Sequence, residues 1–291
     1  MFTLEPHDIN GDGVVNIDDL RFEYLEGDGD FRSAEVTKLR DEADIIITNP
    51  PFSLFREFVV WIMEGNKKFS IVGNLNSTTY KDVFDYIRNG EVWWGTKSSS
   101  KQMFLGAPNW YTEKVRTTKP RGSWWTEVDG KTVVGINNAI WFTNLDHGRR
   151  HEPLDLMSTE DNVKYSRHKE IRGRGYVHYD NYDAVEVKYF DAIPSDVDGL
   201  MGVSITFLDK FNPDQFEIVG ITKTWDDSTG LKRKVYPAQT QVSRDGSRSR
   251  VGKLNDGAAI VVDEAPDKTY YIVDTTLYIQ PYARLLIRHK R

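Results

Sequence analysis

Asp44-Ile45-Ile46-Ile47-Thr48-Asn49-Pro50-Pro51-Phe52 is the stretch on which the reading of this chain turns. Its first half is short, β-branched and continuously apolar after Asp44, the pattern of a strand buried on both faces. Its second half is a turn stiffened by two prolines. Working outward, Leu54, Phe55, Phe58, Val59 and Ile62 recur at helical spacing, with Gly65 placed to end that helix in a left-handed conformation. Upstream, Ser33 is placed to cap a short helix carrying Val36 and Leu39. Downstream, Phe69 to Val72 reads as the next buried strand. Tyr80, Val83, Phe84 and Ile87 give another helix stopped by Gly90, and Val92-Trp93-Trp94 opens a further strand. Such alternation predicts an α/β fold with a parallel sheet and right-handed crossovers. In open sheets of this kind ligands sit beyond the carboxyl ends of the strands, which is where Asn49-Pro50-Pro51-Phe52 lies.

Farther out the pattern changes. Ser98 to Gly135 is rich in Trp, Lys, Ser and Gly without a clear period and reads as long loops, and Ala139 to Thr143 reads as one more buried strand. Beyond about Val185 helical periodicity fades. Short strand-like runs follow at Phe216 to Val219, Ala258 to Val262, Tyr270 to Val273 and Ala283 to Ile287, which predict a second, β-rich domain. No internal repeat is evident. With 39% apolar and 12% aromatic residues in 291, the chain can bury one large core, or one core plus a smaller one. It has no bilayer-length apolar run, and Met1 to Glu5 lacks the start of a signal peptide, so a cytoplasmic location and no membrane are expected. The absence of cysteine excludes disulfides, thiolate metal sites and thiol nucleophiles. A net charge of -6 argues against a uniformly basic surface that coats nucleic acid. Basic residues nevertheless cluster locally at Lys164, Arg167, His168, Lys169, Arg172 and Arg174. A second cluster comprises Lys232, Arg233, Lys234, Arg244, Arg248, Arg250 and Lys253.

The turn carries specific chemistry. An exocyclic amine such as that of adenine has its lone pair delocalised into the ring and its nitrogen buried in the base stack, so it must be flipped out and made more nucleophilic. The Asn49 side-chain oxygen and the Pro50 carbonyl can both accept hydrogen bonds from that NH2, steering the lone pair outward. Pro51 helps hold them rigid, and Phe52 can stack on the flipped base for about 1–3 kcal/mol. The bland alternative is a stiff strand-to-helix turn, since Asn-Pro and Pro-Pro are ordinary loop punctuation. The same acceptors suit any planar amine, so RNA or a protein amide also remains open as substrate.

Leu25-Glu-Gly-Asp-Gly-Asp-Phe-Arg-Ser33 and Ala43-Asp-Ile-Ile-Ile-Thr-Asn-Pro-Pro-Phe-Ser-Leu-Phe-Arg-Glu57 together resemble the EcoRI-type family of adenine-specific modification methyltransferases. Trp141 to His147, Tyr179 to Asp183, Asp198 to Lys210 and Tyr282 to Arg288 share the likeness, which runs over most of the chain from Leu25 onward. The resemblance implies a DNA adenine-N6 methyltransferase with S-adenosylmethionine as donor and double-stranded DNA as substrate, paired with a cognate restriction endonuclease. It implies a Rossmann-like catalytic sheet, with Asp30 and Phe31 holding the adenine of the cofactor and the β-rich region reading the target. The domains expected are a variable acidic segment at 1–24, a catalytic domain at 25–184 and a target-recognition region at 185–291. Such enzymes carry an aromatic-x-Gly-x-Gly loop after their first strand. This sequence shows none, and Gly173-x-Gly175 follows no apolar strand. The sheet is therefore expected to be partial and the catalytic domain incomplete at its amino end, with a non-catalytic DNA-binding remnant as the rival reading.

Three lesser signals complete the inventory. Asp8, Asn10, Asp12, Gly13, Asn16 and Asp19 follow the spacing of a calcium loop, with Asp19 in place of the usual Glu. An acidic loop insertion is the alternative, and a calcium-dependent adhesion module a third functional class. Asn144 to Arg150 follows a predicted strand, so His147, Arg149 and Arg150 are candidates to face DNA, with a surface loop as the alternative. The histidines have no metal-ligand spacing, so no catalytic metal is expected, and Trp93, Trp94, Trp124 and Trp125 read as packing.

Overall fold

The computed structural model describes residues 2–4, 8–22, 24–96, 103–136, 138–226, 230–250 and 252–290. Ser33 caps α1 (Ala34–Glu42), its hydroxyl accepting the Val36 N–H at 3.2 Å. The chain then forms strand β1 (Ile45–Thr48), helix α2 (Phe55–Glu64) and strand β2 (Lys68–Asn74), which runs parallel to β1 with Thr48 opposite Ile71. Helix α3 (Lys81–Arg88) follows and stops at Gly90, where φ is +71°. The periodic positions behave as spaced: Phe55, Phe58, Val59 and Ile62 of α2 and Val83, Phe84 and Ile87 of α3 are buried with Phe69 and Ile71 of β2. Phe69 and Ile71 alternate along the strand, so both helices cover one face of the sheet.

Two expectations fail here for physical reasons. Gly65 is right-handed, at φ -75°, and Asn66 takes the left-handed conformation instead, at φ +50°. A side chain at Gly65 would meet the Arg40 Nε at 2.6 Å, so the flexible end of Arg40 would have to move aside for it. Nor is β1 buried on both faces. The strand order is β1-β2-β4-β3, with β3 (Trp93–Trp94) and β4 (Ala139–Thr143), so among the described residues β1 lies at an edge. The α2 and α3 helices sit on one side of the sheet, leaving Ile45 50% and Ile47 69% exposed on the other. The parallel arrangement stops at β2, because β4 enters between β2 and β3 from the opposite end and is antiparallel to both.

The segment read as loops between Ser98 and Gly135 is ordered wherever it is described; Ser98 to Gln102 lie outside the described residues. Met103–Gly106, Trp125–Val128 and Lys131–Ile136 form a three-stranded antiparallel sheet, with α4 (Asn109–Thr118) against it. Asp129 and Gly130, both at positive φ, make the two-residue hairpin turn between its last two strands. Asp-Gly is the sequence signal for that turn, masked here by polar neighbours.

After α5 (Thr159–Tyr165) the chain builds a second, five-stranded sheet from β5 (Val177–His178), β6 (Ala184–Val187), β7 (Leu200–Ser204), β8 (Phe216–Ile221) and β9 (Arg284–His289). Its order is β5-β6-β7-β9-β8, and β6 and β7 are parallel while β9 is antiparallel to both of its neighbours. Setting β5 aside, this is the order and the set of directions of the first sheet. Each sheet also carries a small antiparallel sheet inserted between its third and fourth common strands, the second insertion being five-stranded. The repeat is one of topology, invisible in the residues. One core cluster joins the two sheets, with Phe69, Phe84 and Phe142 of the first part beside Met201, Phe216 and Leu285 of the second. The whole is a mixed α/β arrangement of several sheets with few helices. Among the described residues no helix is long and apolar enough to cross a membrane.

Candidate active site

Asn49 is exposed at the carboxyl end of β1, and no hydrogen bond engages its side chain among the described residues. Pro50 is buried and anchors the turn. Pro51 leads into a single 3-10 turn, Phe52–Leu54, and its carbonyl accepts the Leu54 N–H at 3.0 Å. That leaves the Pro50 carbonyl as the acceptor next to Asn49 without a backbone donor among the described residues. Phe52 is 45% exposed. Asn49, Pro50, Pro51 and Phe52 thus present two neutral acceptors and a half-exposed phenylalanine on one turn.

The turn is held from below by Phe55, fully buried and 5.0 Å from the Phe142 ring of β4. Phe55 sits so close over Gly73 of β2 that a methyl group there would collide with it, and would also meet Phe142 at 2.9 Å. Glycine at 73 therefore sets how near α2, and the turn before it, lies to the sheet. A second wall was missed from sequence. β1 ends opposite Ile71 of its parallel neighbour and β2 runs on to Asn74, so the 3-10 segment Leu75–Thr79 and Tyr80 follow at the same end of the sheet as Asn49–Phe52. The Asn74 side chain caps that segment by accepting the Asn76 N–H, Trp94 Nε1 donates to Thr78 Oγ1 at 3.2 Å, and Arg56 lies over the Tyr80 ring at 5.5 Å. The only sequence signal was a strand ending in Gly73-Asn74.

Asp30 and Phe31 are brought near α2, in different roles. Phe31 is buried edge-on against Phe58 at 5.0 Å and Trp61 at 5.5 Å, and lines a cleft of about 470 Å³ with Arg32, Arg56, Glu57 and Asp82. The Asp30 carboxylate is gripped by the Arg32 guanidinium, Nη2 to Oδ2 at 2.6 Å, and that hydrogen bond holds it down to about 2. Arg32 also reaches Glu57 at 3.2 Å, which ties the Asp30 loop to α2. The cleft offers a bound group one aromatic wall, Phe31 with Trp61, among charged side chains. Among the described residues no glycine loop offers the backbone approach that a methionine moiety needs.

Other sequence candidates have structural jobs. His147 Nε2 lies 2.9 Å from the Trp94 carbonyl, and Arg149 pairs with Asp209 at 2.8 Å. The Arg150 guanidinium stacks 3.8 Å over Trp93 and is mostly buried, which pulls its pKa below the ordinary value. His147 and Arg150 thus pack on the Trp93–Trp94 strand of the first sheet, and Arg149 ties that sheet to Asp209 after β7 of the second. Trp94 is core, Trp93 Nε1 donates to the Leu145 carbonyl, and Trp124 and Trp125 pack under Lys119, Arg116 and Arg121, as expected of packing residues. In the amino-terminal loop, Asp8 accepts the Gly11, Asp12 and Gly13 N–H groups, and the Asp19 carboxylate accepts those of Ile9, Asn10 and Asn16. The loop is folded by its own carboxylates. Among the described residues no group of three or more His, Asp or Glu is placed to hold a metal.

In the first basic cluster Arg167 and His168 pair with Asp191, while Lys169, Arg172 and Arg174 are exposed. In the second, Arg233 pairs with Asp183, Lys234 with Asp180 and Arg244 with Asp267, while Arg248, Arg250 and Lys253 are exposed.

The family described as adenine-specific methyltransferase EcoRI matches residues 1–290. This chain belongs to that family. Type II methyltransferase M.EcoRI of Escherichia coli is 40% identical over 226 residues, 78% of this chain and 64% of the relative. Type II methyltransferase M.MpnI of Mycoplasma pneumoniae is 33% identical over 195 residues, 67% of this chain and 57% of the relative. M.MgeORF184P of Mycoplasma genitalium is 35% identical over the same length of chain. The chain thus spans less than two thirds of the length of the curated relatives it matches. No solved structure matches it. In this EcoRI-family chain the most chemically specific feature is the open Asn49–Phe52 tip.

Proposed function

We propose that this chain carries the target-base site of a DNA adenine-N6 methyltransferase that uses S-adenosylmethionine. The observation that carries the reading is the pair of unengaged acceptors, Asn49 Oδ1 and the Pro50 carbonyl, beside an open Phe52 ring at the end of β1. A flipped adenine would stack on Phe52 and donate its two amine hydrogens to those oxygens, turning the nitrogen lone pair out of conjugation toward the methyl donor. Neither acceptor titrates, so the group that positions the amine works over a wide pH range. Rigidity supplies the rate: Pro50, Pro51 and the Phe55–Gly73 contact fix the acceptors before the base arrives. When bound, S-adenosylmethionine supplies the electrophilic methyl group. Phe31 and Asp30 are assigned to its adenosine end, within a Rossmann-like catalytic domain at 25–184 that follows a variable segment at 1–24.

Residues 185–291 are assigned to target recognition on double-stranded DNA, with Arg248, Arg250 and Lys253 of that region, joined by Lys169, Arg172 and Arg174, contacting phosphates. The enzyme would work in the cytoplasm, opposite a cognate restriction endonuclease. In the complete enzyme, Asn49→Ala is expected to reduce transfer of radiolabelled methyl into duplex DNA by about a hundredfold, about 2.7 kcal/mol of transition-state stabilisation. DNA affinity and melting temperature should stay unchanged. Undiminished methyl transfer in that variant defeats the reading.

A further inference from the structure

Where the two halves meet, one small cavity gathers polar atoms that nothing else engages. It measures about 20 Å³ and is lined by His147, Arg149 and Arg150 of the first half and Leu208, Asp209 and Phe211 of the second. Four buried side-chain atoms lack a hydrogen-bond partner among the described residues, and three of them belong to this lining: His147 Nδ1, Arg150 Nε and Asp209 Oδ1. Other contacts fix each of these side chains. His147 Nε2 lies 2.9 Å from the Trp94 carbonyl, which can only accept, so in the neutral ring the proton sits on Nε2 and Nδ1 is an acceptor. The Asp209 side chain is 5% exposed and gives Oδ2 to Arg149 at 2.8 Å, leaving Oδ1. Arg150 is stacked over Trp93, and its Nε–H can only donate.

We propose that this cavity is a binding site for one water molecule, which donates to Asp209 Oδ1 and His147 Nδ1, accepts from Arg150 Nε–H, and so fastens the second half of the chain to the Trp93–Trp94 strand of the first. Buried polar groups find a partner in protein or in ordered water, and about 10–15 Å³ is room enough for one water. The count of hydrogens selects the occupant. Two acceptors and one donor match a water's two hydrogens and one of its lone pairs. A halide would be repelled by the Asp209 carboxylate and the His147 lone pair, and a monovalent cation by the guanidinium groups of Arg149 and Arg150. The link continues into the first sheet, because Trp94, whose carbonyl holds His147, also donates Nε1–H to Thr78 Oγ1 at 3.2 Å. Thr78 belongs to the 3-10 segment at the same end of the sheet as Asn49–Phe52, so the water steadies that end from the second half. The site does not depend on what the Asn49–Phe52 turn binds.

A high-resolution crystal structure of the full chain, grown with sodium bromide, tests the occupant. One density peak at about 2.7–3.2 Å from His147 Nδ1, Arg150 Nε and Asp209 Oδ1, without anomalous bromide signal, is expected. No peak, a bromide peak, or a peak closer than about 2.4 Å to Asp209, the distance of a metal ion, overturns the proposal. In solution, nuclear Overhauser effects from a long-lived water to the His147 ring, with the ring proton on Nε2, should accompany the peak, and a ring protonated on Nδ1 alone overturns it. Two variants test the link. Asp209→Asn keeps the shape and the hydrogen-bonding capacity and should retain the water, whereas Asp209→Leu should lose it. Exchange of the Trp94 indole N–H should then quicken about tenfold in Asp209→Leu and stay unchanged in Asp209→Asn. A water that persists in Asp209→Leu, or an indole N–H indifferent to its loss, overturns the link. Should Asp209→Leu fail to fold, the density and the ring contacts of the unaltered chain decide alone.

Discussion

The third residue of β1 is Ile47 and the third residue of β6 is Glu186, and the strand pairings put both on the outward faces of their sheets. Ile47 meets solvent. Glu186, by contrast, is the hub of a buried network: Arg284 of β9 holds it with Nε and Nη2 at 3.0 and 2.7 Å, and the Tyr179 hydroxyl donates to it. Burial, then the Glu186 carboxylate, keep the Tyr179 phenol protonated well above its ordinary pKa. Tyr179 in turn lies so near Gly202 of β7 that a methyl group there would strike its ring. The same topology thus encloses a charge on one sheet and leaves an apolar residue in water on the other. What differs is the cover, which the inserted five-stranded sheet gives the second sheet through Ala258 and Ile260.

That contrast can be broken by substitution. Glu186→Ala strands Arg284 as an uncompensated charge and should lower unfolding free energy by about 3–5 kcal/mol in urea denaturation, against about 0.5 kcal/mol or less for Ile47→Ser in the same chain. Equal losses would show that the first sheet is covered after all. Next in size, Gly202→Ala and Gly73→Ala should each cost about 1–3 kcal/mol by overpacking. The larger loss belongs to Gly202, because Tyr179 is held by Glu186 and has no room to yield, and crystal structures of both variants would show which ring moved. On the proposed methyltransferase reading, Gly73→Ala should also cut methyl transfer, since Phe55 carries the turn, while Gly202→Ala should act through stability alone.

The smallest effect concerns a clip between the two halves. His151 lies between Asp214, at 3.2 Å, and Asp146, at 3.0 Å, and these carboxylates raise its pKa above the ordinary 6.5. Because the folded value is the higher one, the contact is fully formed below pH 6.5 and is lost as pH rises through the folded value. Proton resonance titration of His151 should therefore give a midpoint above 6.5, and Asp214→Asn should bring it back down. A midpoint at or below 6.5 in the unaltered chain would remove the clip.

Some of this was legible in the residues. Helices α2 and α3 could be read because their buried positions recur every three or four residues, and β1 because three isoleucines in a row favour an extended backbone. The Asn49–Phe52 turn could be read because proline fixes its own backbone. His147, Arg149 and Arg150 could not be assigned, because their partners, Trp94, Asp209 and Trp93, lie 53 to 60 residues away or across a sheet. The Asp129-Gly130 hairpin was readable in principle and obscured by its surroundings.

Sequence alone determined the local elements and the place of the Asn49–Phe52 turn after its strand, since helical period, strand propensity and proline geometry act over a few residues. Tertiary structure alone decided that β1 lies at the end of its sheet, that β4 runs against β2, that Gly73 is needed for space, and that two halves share one topology. Those outcomes depend on which distant surfaces meet, and no window of neighbouring residues carries that information.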